Sequence, residues 1–191
     1  SVYFLGDSIT EGTKNNHHPW YEPMKHLIKG NVYNYSKGGY IVQNLINDKD
    51  KINKRTAEVY VIAIGTNDVR KGTTKSSAKN GDQYVKKIGK LISNIQEKNS
   101  EAKFVLIPPF ISRKNDPVST RSYKDKLKMN SEFAEALKKY CDDNSYTYIN
   151  PNKYIKERCQ KYGYDDYLLD YIHPGPNRGI LTYSRAALLY K

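Results

Sequence analysis

Residues 1–12 read SVYFLGDSITEG, a short apolar run that leads directly into a serine on a glycine-flanked turn. The run, residues 2–5, is rich in β-branched and aromatic side chains, which is typical of a buried strand. Gly6 and Gly12 bracket the polar residues that follow, and such a turn can present a hydroxyl as the chain leaves a sheet. The segment therefore predicts a strand that ends beside an accessible serine, Ser8.

The same kind of apolar run recurs four times, separated by longer amphipathic stretches. The predicted strands are residues 2–5, 32–35, 59–64, 104–107 and 146–149. The predicted helices are residues 21–29, 82–99, 124–144 and 179–190. Alternating strands and helices indicate βα units, an α/β fold and a mainly parallel sheet. Ligands of such sheets bind beyond the carboxyl ends of the strands, so we expect the chemistry in the loops that follow the first three strands.

The size of the chain favours one domain spanning residues 1–191, because a chain of this length can bury a single substantial core. No apolar run approaches the roughly 20 residues that a membrane-spanning helix needs, and the first residues lack the zones of a signal peptide. A start directly on a strand suits a mature form or a domain of a longer protein. An extracytoplasmic or cell-surface location is expected over a cytoplasmic one.

The net charge of +12 predicts attraction to anionic partners such as acidic polysaccharide, a membrane surface or nucleic acid. The lysines are scattered through the sequence and form no block, which favours a solvated surface and no specific nucleic-acid footprint. A binding module for an anionic polymer, without catalysis, therefore stays as an alternative function.

The cysteines and the paired histidines give no metal site. Cys141 and Cys159 lack the spacing of a zinc site, so we expect two ordinary thiols, with one disulfide as the alternative. His17 and His18 are adjacent residues without an evident third ligand, which favours a solvated loop. No metal and no organic cofactor is expected.

The end of the chain places an acid and an imidazole three residues apart, Asp170 and His173, in a loop that Pro174 and Gly175 close. A serine hydroxyl is barely acidic, so an imidazole must accept its proton during attack, and a carboxylate must orient that imidazole and stabilise its charged form. Asp170 and His173 are therefore candidates for the base and its orienting acid, although a surface loop without a role remains the alternative for this pair taken alone.

Two more segments supply donors that a tetrahedral intermediate requires. Gly38 and Gly39 follow the second predicted strand, where glycine lets backbone N–H groups approach a ligand. Asn67 follows the third strand, where its amide can donate to an oxyanion. Each segment also has a structural interpretation, since a glycine pair can form a turn and an asparagine can cap a helix.

Taken together, the segments resemble the conserved blocks of the SGNH (GDSL-like) hydrolase family, in the family's order and over nearly the full length. The matching residues are Gly6-Asp7-Ser8, Gly39, Gly65-Thr66-Asn67-Asp68 and Asp170 with His173-Pro174. The chain departs from the family at Ser36, where a further glycine is common, and at Ile9, where leucine is common. Neither position carries a catalytic atom.

The resemblance implies a flavodoxin-like three-layer α/β/α sandwich with a five-stranded parallel sheet in the order 2-1-3-4-5. It also implies that Ser8 is the nucleophile, His173 the general base and acid, and Asp170 its orienting partner. The oxyanion hole would consist of the backbone N–H groups of Ser8 and Gly39 with the side-chain amide of Asn67. Asp7 and Asp68 are expected to be structural.

Two further residues near these blocks are candidates for substrate binding. Trp20, the sole tryptophan, either packs under the site or stacks on a sugar ring. Arg70, three residues after Asn67, is expected either at the pocket rim, where it would meet an anionic substrate, or as an ordinary surface arginine.

The resemblance implies acyl transfer, and the pocket walls decide which ester enters. We expect a serine esterase that removes short acyl groups, O-acetyl in particular, from carbohydrate or cell-surface polysaccharide. An O-acetyltransferase that uses the same triad, and a lysophospholipase or thioesterase, remain alternatives. The expected partner is a small ester or an acetylated glycan.

Overall fold

The computed structural model describes residues 1–71, 74–110 and 113–189, and its centre is a five-stranded parallel sheet. The strands are β1 (Val2–Gly6), β2 (Val32–Ser36), β3 (Val59–Ala63), β4 (Lys103–Ile107) and β5 (Thr147–Tyr148). Their order across the sheet is β2-β1-β3-β4-β5, and every neighbouring pair runs parallel. The predicted strand positions, the parallel sheet and its order are confirmed.

Helices cover both faces of this sheet. The α-helices are α1 (Ser8–Glu11), α2 (Val42–Asn47), α3 (Lys49–Ile52), α4 (Thr66–Arg70), α5 (Gly81–Gln96), α6 (Tyr123–Asn144), α7 (Asn152–Tyr162), α8 (Tyr164–Tyr167) and α9 (Arg178–Leu189). Two short 3₁₀ helices, Thr13–Asn15 and Glu22–Leu27, follow α1. None of the helices in the described ranges is long and apolar enough to cross a membrane.

The alternation of side chains along β1 creates two cores. Successive side chains of a strand point to opposite faces of the sheet. Tyr3 and Leu5 join the core that α2, α5 and α6 cover, whereas Phe4 joins the core that α7 and α9 cover. The two cores and the sheet between them form the expected three-layer α/β/α sandwich.

The helix predictions differ from the structure mainly at the ends. Residues 21–29 form only the 3₁₀ helix Glu22–Leu27, which contains no buried residue and so lacks the apolar face that stabilises a longer helix. Helix α5 begins one residue before its predicted start, because the Asn80 side chain caps it by accepting the N–H of Gln83. Of the predicted helix 179–190, residue Tyr190 lies outside the described residues.

Candidate active site

The serine loop owes its shape to Gly6 and Asp7 at the end of β1. A Cβ atom on Gly6 would lie 2.5 Å from Thr10 Oγ1 and 2.7 Å from the Ala63 carbonyl oxygen, so only glycine fits there. The Asp7 carboxylate accepts the N–H of Ile9 at 3.0 Å and caps α1, which begins at Ser8. The hydroxyl of Ser8 therefore stands at the first turn of a helix, directly beyond the sheet.

The loop near the end of the chain brings an imidazole to this hydroxyl. Ser8 Oγ lies 2.8 Å from His173 Nε2, and His173 Nδ1 lies 2.7 Å from Asp170 Oδ2. The other oxygen of Asp170 accepts the backbone N–H groups of Ile172 and His173, each at 2.9 Å. The three side chains form a continuous hydrogen-bonded chain from carboxylate to imidazole to hydroxyl, which is the geometry that serine nucleophiles use.

The electrostatics of the loop keep Asp170 ionised. Burial by itself would raise the pKa of Asp170, but the two backbone N–H groups and the His173 ring hold that pKa below its usual value. An ionised carboxylate on Nδ1 fixes the imidazole tautomer that leaves Nε2 free to accept a proton from Ser8.

The backbone of the loop is held from two sides. The Leu169 N–H donates to the His173 carbonyl at 2.8 Å, and the Arg113 N–H donates to the Tyr171 carbonyl at 2.9 Å. The Asn15 side chain donates to the Pro174 carbonyl at 3.3 Å, so the serine loop and the histidine loop are also tied directly to each other. These bonds limit the freedom of His173 relative to Ser8.

The candidate donors for an oxyanion line a cavity that also contains the triad. This cavity has a volume of about 470 Å³ and is called the catalytic pocket. It is lined by Ser8, Lys14, Gly38, Gly39, Asn67, Arg70, Lys71, Val118, Asp170, Tyr171, Ile172 and His173. Asn67 Nδ2 donates one hydrogen to the Tyr40 carbonyl at 3.0 Å, and a primary amide carries a second one. Gly39 has φ +78°, a conformation that favours glycine. The pocket thus groups Ser8, Gly39 and Asn67.

The two buried acids of the motifs hold loops together. Asp68 accepts the N–H of Val42 at 3.2 Å and that of Ala78 at 2.8 Å, and so joins α4 to the segments on either side of it. Burial raises the pKa of Asp7 to about 7 and that of Asp68 to about 6. Neither carboxylate touches the Ser8 hydroxyl among the described hydrogen bonds, and both fit the structural role expected for them.

Of the two candidates for substrate binding, Trp20 lies in the core. Its side chain is 1% exposed, its ring N–H donates to Thr10 Oγ1 at 3.1 Å, and its ring packs edge-on against Phe4. The alternative in which Trp20 stacks on a sugar is therefore wrong, because no face of the ring is open. Trp20 instead supports the serine loop from beneath.

Arg70 lines the catalytic pocket but its charge is already matched. Its Nε and Nη2 atoms donate to the two oxygens of Asp116 at 2.5 and 2.9 Å, and both side chains are buried. No pattern in the sequence indicated this partner, which lies 46 residues away. The interpretation of Arg70 as an ordinary surface arginine is wrong, because its side chain is buried against Asp116.

Sequence reasoning missed two lysines of the pocket, Lys14 and Lys71. Neither has a charged partner within the described part of the chain. A Cβ atom on Gly39 would lie 3.9 Å from Lys71 Nζ, which places this ammonium group beside the candidate oxyanion hole. The only signal in the sequence was proximity, because Lys14 follows Ser8 by six residues and Lys71 follows Asn67 by four.

The remaining candidates lie elsewhere. Cys141 and Cys159 are both buried and unbonded, and burial raises their pKa values to about 12 and about 11. His17 and His18 are exposed, and His18 Nδ1 pairs with Glu22 at 2.6 Å. The ranges 1–71, 74–110 and 113–189 contain no group of three or more potential metal ligands.

Comparison with known proteins gives a family match that spans most of the chain. The model of the GDSL-like lipase/acylhydrolase family matches residues 4–177, a range that includes Ser8, Asn67, Asp170 and His173. Among curated proteins, none matches the chain in sequence.

Solved structures match the fold over nearly the full length. A protein from Parabacteroides merdae ATCC 43184, described as a GDSL-like lipase, has a TM-score of 0.77 and 18% identity, covering 98% of this chain and 95% of that one. A catalytic mutant of an acetylxylan esterase from Geobacillus stearothermophilus has a TM-score of 0.72 and 17% identity, covering 98% and 91%. A member of the lipolytic protein G-D-S-L family from Veillonella parvula DSM 2008 has a TM-score of 0.68 and 19% identity, covering 98% and 95%.

Proposed function

Since this chain belongs to the GDSL-like lipase/acylhydrolase family, we propose that it is a serine esterase with Ser8, His173 and Asp170 as its catalytic triad. The observation that carries the proposal is the unbroken hydrogen-bonded chain from Ser8 Oγ through the imidazole to the Asp170 carboxylate. Residues 165 positions apart in sequence meet at 2.8 Å, in a cavity that also holds candidate oxyanion donors.

In the first half of the reaction, Ser8 Oγ attacks the ester carbonyl carbon as His173 Nε2 takes the hydroxyl proton. The negative charge that develops on the carbonyl oxygen is met by the N–H groups of Ser8 and Gly39 and by the second amide hydrogen of Asn67. The bond from carbon to the alcohol oxygen then breaks, and the protonated imidazole gives its proton to the departing alcohol. An acyl group remains on Ser8.

The second half repeats these steps with water. His173 Nε2 removes a proton from water as the water oxygen attacks the acyl carbon, and the proton then returns to Ser8 Oγ as the acid leaves. Asp170 stays ionised throughout, because its role is to orient and stabilise the imidazolium.

The walls of the catalytic pocket favour a short acyl group on a polar carrier. Its apolar side chains are few, namely Val118, Tyr171 and Ile172, and the other described lining residues are polar, charged or glycine. A fatty acyl chain needs a long apolar surface to leave water. We therefore propose an O-acetyl group on a carbohydrate as the substrate, and the similarity to an acetylxylan esterase is in keeping with this choice.

The test is a chain-length series of 4-nitrophenyl esters, acetate to palmitate, hydrolysed by the natural protein and by Ser8→Ala. The acetate and butyrate should react fastest, and Ser8→Ala should lose roughly 10⁴- to 10⁶-fold in kcat, leaving the contribution of the oxyanion hole and binding. The matched control is Ser131→Ala, an exposed serine of α6 outside the catalytic pocket, which should retain activity.

Two results would contradict the proposal. Turnover that Ser8→Ala retains would show that Ser8 is not the nucleophile. Rapid hydrolysis of the palmitate ester with inactivity toward the acetate ester would show that the substrate is a lipid ester. A third measurement distinguishes hydrolysis from transfer. An acetyl donor and a glycan are supplied together, and the amounts of free acetate and of acetylated sugar are compared. Excess acetylated sugar would assign the same triad to an acetyltransferase.

A further inference from the structure

The catalytic pocket contains more positive charge than its chemistry uses. Asp116 neutralises Arg70, and Asp170 is committed to His173. Lys14 and Lys71 remain without a charged partner in the described residues, and both line the pocket. Acyl transfer through Ser8 needs no fixed cation at these positions, so their charge is available to a substrate.

A second cavity of the chain is also lined by lysines. It has a volume of about 560 Å³ and lies between α2, α5 and the segment that precedes α5. It is lined by Gln43, Ile46, Lys75, Ser76, Ser77, Lys79, Gln83, Lys86, Lys87 and Lys90, and is called the lysine groove below. Five of these ten residues are lysines, and none of the described lining residues is acidic.

The lysines of the groove form an ordered surface. Lys87 Nζ donates to Gln43 Oε1 at 2.7 Å across the groove, and Lys79 Nζ donates to Ser77 Oγ at 3.0 Å. Gln83, Lys87 and Lys90 are spaced by four and three residues and so share one face of α5, over about 10 Å at 1.5 Å per residue. The groove thus presents lysines of α5 together with lysines of the segment that precedes it.

Two acids whose charge reaches these lysines, Asp68 and Glu97, are already engaged. Asp68, which Lys87 influences, is buried and accepts two backbone N–H groups. Glu97, which Lys90 influences, pairs with Lys49. Neither carboxylate lines the groove, so a bound anion would not compete with them for the same space.

Hydrogen bonds to Asp68 join the lysine groove to the catalytic pocket. Gln43 follows Val42 and Ser77 precedes Ala78, and the N–H groups of Val42 and Ala78 both donate to Asp68. Asp68 is the residue directly after Asn67, which lines the catalytic pocket. Two of the three segments that line the groove are therefore hydrogen-bonded to Asp68, the residue that follows a candidate oxyanion donor in the sequence.

From this continuity we infer that the protein acts on the O-acyl esters of an acidic polysaccharide, whose chain lies across the lysine groove while one ester enters the catalytic pocket. The inference rests on the proposed esterase function. Lys14 and Lys71 would meet the anionic groups nearest the ester, and Lys75, Lys86 and Lys90 would meet those further along the chain. A nucleic acid would match the charge, but it carries no acyl ester for Ser8 to attack.

The first test compares polymers of equal acetylation. O-acetylated polygalacturonate supplies carboxylates, an O-acetylated glycan with phosphodiester links supplies phosphates, and O-acetylated xylan is neutral. We expect kcat/KM for at least one acidic polymer to exceed that for xylan roughly tenfold at 50 mM NaCl, and the preference to disappear near 0.5 M, because salt screens such contacts. The acidic polymer with the higher kcat/KM identifies the anionic group that the protein recognises.

The second test removes charge in two places. The variant K75Q/K86Q/K90Q should raise KM for the acidic polymer roughly tenfold, with a smaller change in kcat. The matched control K124Q/K128Q/K138Q removes the same net charge from exposed lysines of α6 and should leave KM within about twofold. Equal losses in the two variants would show an effect of net charge alone and would overturn the inference.

The outcomes separate the two proposals. If wild type hydrolyses 4-nitrophenyl acetate in a Ser8-dependent manner but treats acidic and neutral polymers alike, the polymer inference fails and the esterase stands. If no ester is hydrolysed, the proposed function itself fails. Binding of duplex DNA that is tighter than that of polygalacturonate, without any preference in hydrolysis, would assign the groove to nucleic acid and overturn the inference.

Discussion

The catalytic triad and the lysine groove treat charge in opposite ways. Around Ser8, each charged group of the triad and the neighbouring Arg70 has a fixed partner, and their distances are 2.5 to 2.9 Å. In the groove, five lysines face a cavity without an acid among its described lining residues. Bond-breaking needs charges that are oriented before the substrate arrives, whereas a flexible polyanion can adapt to a set of like charges on the surface.

After the loss expected for Ser8→Ala, the largest effect should follow from disturbing the Asp170–His173 pair of the triad. Asp170→Asn keeps the shape of the side chain, but an amide can place a donor on His173 Nδ1 and stabilise the wrong tautomer. We expect kcat for 4-nitrophenyl acetate to fall by about 10⁴-fold with a much smaller change in KM. Assays of the purified variants measure kcat and KM. The control is Asp165→Asn, which changes an exposed acid that pairs with Arg113. Comparable losses in both variants would argue against a specific role of Asp170.

A smaller effect is expected at the candidate oxyanion hole. Asn67→Ala should lower kcat roughly 10²- to 10³-fold, because one donor to the developing charge is lost. The variant also loses the bond to the Tyr40 carbonyl, so its unfolding midpoint in urea must be measured beside its activity. A drop in kcat with folding retained supports transition-state stabilisation. A rise in KM with kcat unchanged would place Asn67 in ground-state binding instead.

The smallest effect on turnover is expected at Asp7, where a buried carboxylate accepts the N–H of Ile9. Its pKa of about 7 in the folded state exceeds the ordinary value because of burial. Between pH 4 and pH 7 the native state therefore holds a proton that the unfolded state has released, and stability falls as pH rises. Asp7→Asn mimics the protonated form and avoids this loss.

The measurement for Asp7 is the free energy of unfolding in urea from pH 5 to pH 8. The advantage of Asp7→Asn over wild type should grow with pH, on the order of 1 kcal/mol per unit, and level off above pH 7. Asp50→Asn, an exposed carboxylate on α3, should show no such trend. An advantage of Asp7→Asn that stays constant across the range would mean that Asp7 is ionised in the folded protein.

Local patterns predicted the sheet well because a few consecutive apolar, β-branched or aromatic residues indicate each strand. The run at residues 2–5 alternates between two cores, and the glycine at position 6 marks the point where the chain turns too closely for a Cβ atom. The helices with strong apolar faces, α5 and α6, were predicted to within three residues at either end. The helices α7 and α8 were not predicted.

The candidate site was predicted where its chemistry is local and missed where it is not. Asp170 and His173 lie three residues apart, so their pairing is visible in the sequence. The partner of Arg70 is 46 residues away, and the burial of Trp20 depends on packing against β1 and α9. No periodicity in the chain encodes contacts of this range.

The sequence by itself determined the order of strands and helices, the kinds of catalytic side chain and the turns that present them, because these depend on near neighbours and on backbone sterics. Only the tertiary structure decided that Ser8 and His173 meet, that Arg70 is neutralised, and that lysines scattered over residues 75–90 share one groove. The physical reason is that proximity between distant residues is created by the packing of helices on the sheet, and a linear pattern of charge does not contain it.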